Sequence, residues 1–179
     1  VIKDLFSRAE VAALQVVSAA LRSGQAKVEP QDKITEPGSN AIRTVFRLDR
    51  HNALFDRLAR DSRIAGIVKH LLGDDLYLHQ SRLNYKPGFT GKEFYWHSDF
   101  ESWHAEDGMP RMRAISASIL LSDNDTLNGP LMLIPGSHKT FVACAGETPE
   151  NNHENSLKKQ NIGVPSHDSL TKMVDAHGI

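Results

Sequence analysis

The sequence predicts a mainly β domain with a layer of helices at its amino end, a β-sandwich or barrel with helices packed outside. Two observations carry this: apolar residues recur at helical spacing up to about residue 73, and the period changes to two from Asp75 onward. A third is the Gly/Pro/Asn punctuation that cuts the second half into short segments. The boundaries expected are a helical part over about 1–73 and a sheet part over about 74–179 of one domain.

Ser7 and Glu10 have the spacing of a capping box, and Val11, Leu14, Val17, Ala20 and Leu21 then line one helical face until Gly24 offers a stop. Residues 25–43 carry Pro30, Pro37 and Gly38 in a polar setting and read as an irregular connection. A second helical region spans 53–72, with Leu54, Leu58, Ile64, Ile67, Val68, Leu71 and Leu72 as its buried stripe and Gly73 as its end. Ser62 is a point at which it restarts as a separate helix.

Over 76–86 strict alternation predicts a strand, with Leu76, Leu78, Gln80, Arg82, Asn84 and Lys86 on one face and Tyr77, His79, Ser81, Leu83 and Tyr85 on the other. The first face is polar enough to hydrogen-bond a small charged molecule, or simply to be solvated. Pro87-Gly88 turns the chain. Strands are expected again over 113–121, where Ser116 and Ser118 share a face, and over 131–134 after the Asn128-Gly129-Pro130 turn.

Composition excludes some classes of function. With 21 basic and 22 acidic residues, a net charge of -1 and no Lys/Arg cluster, no nucleic-acid partner is expected. No apolar run approaches the length of a membrane span, and the start lacks a basic region followed by an apolar core, so no membrane partner and no export signal are expected. The single cysteine, Cys144, is expected to be structural in a reducing cytoplasm. Val1 in place of methionine, and an ending at Ile179 without a closing element, are read as a fragment incomplete at both ends.

The chemistry concentrates at His97 and Asp99. On a strand, residues two apart project from the same face, so an imidazole nitrogen and a carboxylate oxygen would meet one metal ion. A further histidine would complete the two-histidine, one-carboxylate set of non-haem Fe(II) oxygenases, which keeps positions open for a co-substrate and dioxygen. His-x-Asp alone is a weak signal in a chain with nine histidines.

Its context is more specific. The run Phe94-Tyr95-Trp96-His97-Ser98-Asp99-Phe100-Glu101-Ser102-Trp103-His104-Ala105-Glu106-Asp107-Gly108-Met109-Pro110-Arg111-Met112-Arg113 closely resembles the signature of the ectoine hydroxylases. These lie in the phytanoyl-CoA dioxygenase-like branch of Fe(II)/2-oxoglutarate-dependent oxygenases. The later run from Asn128-Gly129-Pro130 to Pro135-Gly136-Ser137-His138-Lys139 resembles the turn and strand of the wider superfamily, and the likeness extends from the first helix to about Val142.

The resemblance implies a double-stranded β-helix, or cupin-like jelly roll, that hydroxylates ectoine to 5-hydroxyectoine with Fe(II), 2-oxoglutarate and dioxygen. It implies His97 and Asp99 as iron ligands, and Gln80, Trp103 and Ser116 as substrate-binding residues. Lys86, Asn84, Phe94 and Ser118 would line the 2-oxoglutarate side. Lysine there would act as a compact point charge toward a carboxylate. The second iron histidine and the 2-oxoglutarate arginine of the family would fall beyond Ile179, and a chain with two ligands would hold iron poorly. His104, His138, His153, His167 and His177 are not assigned to the metal. A homodimer, a related oxygenase with another small substrate, and a non-catalytic cupin-like binding module stay open.

Overall fold

The structure is a computed structural model, and it describes residues 1–142 and 162–179. The chain divides into two compact units, one formed by 1–91 with 115–124 and the other by 92–114 with 125–179.

In the first unit, α1 (Arg8–Ser23) forms for the reasons visible in its sequence. The Ser7 side chain accepts from the Glu10 amide while the Glu10 carboxylate accepts from the Ser7 amide at 2.8 Å. Gly24 closes the helix in the left-handed conformation at φ 76°. Leu14 and Leu21 are buried, each worth about 2 kcal/mol of burial.

The stretch expected to be irregular contains structure. After a 3-10 turn at Pro30–Asp32 come β1 (Lys33–Thr35) and β2 (Ile42–Phe46), paired antiparallel with Ile34 opposite Thr44 and a register shift after Ile34. Pro30, Pro37 and Gly38 mark the turns around these strands, which are too short to show a period. A charge also hides β2 among core strands. Arg43 and Glu36, both with fully buried side chains, pair with each other at 3.2 Å.

Beyond β2, α2 (Leu48–His51) was not expected, and the 53–72 region divides into α3 (Ala53–Ala59) and α4 (Ser62–Leu72). Asn52 and Asp61 cap these two through side-chain oxygens, on Leu54 and Arg63 amides. The apolar stripe of α4 is less buried than its pattern implies: no residue of the helix is fully buried, and Leu71 is 66% exposed. Periodicity specifies a face, whereas burial needs a packed neighbour.

Only Arg82–Asn84 of the expected 76–86 strand pairs, as β3, with Thr44 opposite Asn84 and Val45 opposite Leu83. The order is β1-β2-β3. The core gathers Leu14, Leu21, Ile42, Val45, Leu48 and Phe55, with Leu83, Tyr85 and Leu121 against it. The Tyr85 hydroxyl donates to the Ser18 carbonyl at 2.8 Å.

In the second unit, α5 (Asp99–Glu106) and α6 (His167–His177) flank a 3-10 turn at Ser137–Lys139. The expected strands at 113–121 and 131–134 join no ladder among the described residues. Alternation prescribes extended backbone, but a ladder also requires a partner presenting N–H and C=O groups in register. Among the described residues, no helix is long and apolar enough to cross a membrane.

Candidate metal centre

His97 and Asp99 come together, but not by the alternation that a strand would provide. The chain is irregular up to Ser98, which is extended at φ -107°, ψ 130°, and Asp99 opens α5. A corner from irregular chain into helix therefore replaces the predicted strand, with Asp99 at the positive end of the helix dipole, where a carboxylate is favoured. His97 Nε2 stands 3.4 Å from Asp99 Oδ1, and the two side chains are 28% and 29% exposed.

The tautomer of His97 follows from its other nitrogen. Nδ1 lies 2.6 Å from the Tyr95 carbonyl oxygen, which can only accept, so Nδ1 carries the proton. In the neutral ring Nε2 then presents a lone pair toward the Asp99 carboxylate. Ligating histidines characteristically hand their second N–H to such an acceptor. Two donors about 2 Å from one ion on neighbouring octahedral positions would sit roughly 3 Å apart, close to the gap observed. The pair fits a divalent metal.

Among the described residues no group of three His, Cys, Asp or Glu side chains is placed to hold a metal. His104 Nδ1 donates to the Met109 carbonyl at 2.6 Å, and its ring stacks on Phe100 with centroids 5.5 Å apart. Phe141 meets both rings edge-on. His104 is thus a packing residue. His138 lies in the 3-10 turn, and His167 and His177 lie on α6. Cys144 and His153 fall outside the described residues.

Glu101 was not singled out from the sequence, yet it is 1% exposed and its Oε1 accepts the Val142 amide at 2.6 Å. A charged residue in an amphipathic helix carries no sign of such burial. Of the other candidates in this unit, Trp103 is half-buried on α5, and Phe94 is 36% exposed.

The remaining candidates belong to the first unit. Gln80, Asn84 and Lys86 are exposed, while Ser81, Leu83 and Tyr85 are half-buried, so the two faces alternate over 81–86; Tyr77 and His79, expected on the same face as Ser81, are exposed, and the alternation does not extend over 76–80. Asn84 Oδ1 accepts from Thr44 Oγ1 at 3.0 Å, a cross-strand contact that fixes its amide orientation. Ser116 and Ser118 are exposed.

Residues 1–176 match the family described as Phytanoyl-CoA dioxygenase (PhyH). The chain belongs to this family. Within the phytanoyl-CoA dioxygenase family it is 57% identical over its whole length to an ectoine dioxygenase from Stutzerimonas stutzeri, covering 59% of that protein. It is 54% identical to an ectoine dioxygenase from Sphingopyxis alaskensis, again over the whole chain and 58% of the relative. The chain therefore spans about three fifths of the length of these curated relatives.

A crystal structure of EctD from S. alaskensis with 2-oxoglutarate and 5-hydroxyectoine matches with a TM-score of 0.84 at 47% identity, over 99% of this chain and 56% of that one. Another, with bound Fe, matches with a TM-score of 0.81 at 46% identity, over 99% of this chain and 57% of that one. The chain has their cupin-type fold, as the family resemblance implied, and among the described residues three strands pair.

Proposed function

We propose that the full-length protein carrying this chain is an Fe(II)- and 2-oxoglutarate-dependent dioxygenase that hydroxylates ectoine to 5-hydroxyectoine. The observation that carries the proposal is the His97–Asp99 pair, its imidazole held by Tyr95 with Nε2 toward the carboxylate, in a chain 57% identical to an ectoine dioxygenase. The reaction consumes ectoine, 2-oxoglutarate and dioxygen and yields 5-hydroxyectoine, succinate and carbon dioxide, with bound Fe(II) supplying the activation of dioxygen.

The protein's own part is binding, orientation and exclusion of water. His97 and Asp99 hold the metal, and the Tyr95 carbonyl keeps the His97 ring from turning. A third ligand would come from outside the described residues. By the family resemblance Lys86 offers its ammonium to a 2-oxoglutarate carboxylate, and Asn84, Phe94 and Ser118 are assigned to the same co-substrate. Gln80, able both to donate and to accept, suits ectoine's carboxylate and amidine-like cation. The ring face of Trp103 tolerates the cation, and Ser116 supplies a hydroxyl. A cytoplasmic location suits the supply of 2-oxoglutarate and reduced iron.

The test is succinate release by the purified full-length protein, with ectoine, other osmolytes and amino acids offered in turn. Ectoine-dependent succinate that disappears in His97→Ala supports the proposal. Turnover of another substrate with none on ectoine would transfer the activity to a related oxygenase.

A further inference from the structure

We propose that Gly163 is a positioning residue for the metal-binding pair, setting the backbone that joins His97 to Asp99. The inference rests on the reading of those two side chains as metal ligands. What links them is the peptide unit on either side of Ser98, and both backbone polar groups of Ser98 lie against Gly163. The Ser98 amide donates to the Gly163 carbonyl at 2.8 Å. The Ser98 carbonyl oxygen lies where a side chain at 163 would begin: a Cβ there would stand 2.3 Å from that oxygen, 3.4 Å from the Ser98 carbonyl carbon and 3.5 Å from the Ser98 nitrogen.

Such an approach is open to glycine alone. Real Cβ atoms essentially never come within 3.0 Å of another heavy atom, so with alanine at 163 the Ser98 carbonyl would have to withdraw from 2.3 Å to beyond that limit. The obstacle is backbone, and no flexible side chain can swing aside to relieve it. Gly163 also has φ +72°, a left-handed conformation that L side chains rarely adopt. The residue is thus specified twice over.

The consequence falls on the ligands. Withdrawing the Ser98 carbonyl turns the peptide between Ser98 and Asp99, and Asp99 begins α5 from that peptide. The carboxylate is then carried away from His97 Nε2, which it faces at 3.4 Å. Metal donors must be held within about 0.5 Å of their working geometry, so a displacement of this size is enough to degrade the site. Gly163 acts on the pair through the Ser98 backbone that joins the two ligands.

The test uses the full-length protein and Co(II), whose visible absorption reports the geometry of its ligands. Gly163→Ala, His97→Ala and Gly108→Ala are titrated beside the parent. Gly108 has φ +70° with nothing within 4 Å of its added Cβ, so it reproduces the backbone strain without the clash. Gly163→Ala is expected to bind Co(II) roughly ten- to one-hundredfold more weakly, with an altered spectrum, while Gly108→Ala stays within about twofold of the parent.

Parental affinity and spectrum in Gly163→Ala, or equal weakening by both glycine variants, would overturn the inference. If His97→Ala loses Co(II) and Gly163→Ala does not, only the inference falls; if His97→Ala binds like the parent, the metal reading falls with it. Should Gly163→Ala fail to fold, hydrogen exchange of the parent decides. Co(II) loading is expected to slow exchange of the Ser98 amide, and an unchanged rate would overturn the inference.

Discussion

Replacing Arg43 with methionine tests the energetics of the first unit most sharply. Arg43 Nη1 lies 3.2 Å and 3.4 Å from the two carboxylate oxygens of Glu36, and neither side chain has any exposed surface. At 3.2 Å and an effective dielectric of 20 the attraction is about 5 kcal/mol. Desolvating each ion costs several kcal/mol, so the intact pair contributes little net stability. Removing one partner is different, because the other charge stays buried without its counter-ion. Arg43→Met is therefore expected to lower the unfolding free energy by about 3–5 kcal/mol, and Glu36→Leu/Arg43→Met to recover most of that loss. Urea unfolding followed by far-ultraviolet circular dichroism reads the helices of this unit. A single variant within about 1 kcal/mol of the parent, or a double variant as unstable as the single, would refute the reasoning.

Arg63 predicts a pH dependence. Hydrogen bonds from its guanidinium are the largest cause holding Glu10 at a pKa of about 2, below the ordinary 4.5, and Asp61 at about 2, below 3.8. Depressed carboxylate values contribute stability that is fully present above the unfolded values and is lost as pH falls toward 2. Arg63→Met should melt below the parent at pH 7, with the gap narrowing through the interval from pH 4.5 to about 2 in thermal scans; a gap constant with pH would contradict this. At the proposed site, Lys86→Met should raise the 2-oxoglutarate KM roughly tenfold or more with little effect on the ectoine KM, and Gln80→Ala should do the reverse. Steady-state succinate assays varying each substrate separate the two, and equal effects on both constants would remove the assignment.

The first helix, the alternation before Pro87 and the family were legible because their signals are local. Ser7 and Glu10 cap a helix across three residues, Asn84 and Leu83 point to opposite faces by simple alternation, and the motif run carried the family likeness. The placement of Asp99 was misread. Residues two apart can converge across a corner as well as along a strand, and the spacing does not say which. β1 and β2 were missed because they are short, and because the buried Arg43 reads as an exposed charge until Glu36 is seen beside it.

By itself the sequence determined the ends of α1, the restart at Ser62 and the stop of α4 at Gly73, the alternation over 81–86, and the presence of an imidazole two residues from a carboxylate. Each depends on groups within a few residues, whose separation the covalent backbone limits. Tertiary structure alone decided that Glu101 receives the Val142 amide, that Arg43 is neutralised inside the core, and that Gly163 closes on Ser98. Partners for these groups arrive only when distant segments meet. Their distances are set by how the intervening chain packs, which no local pattern encodes.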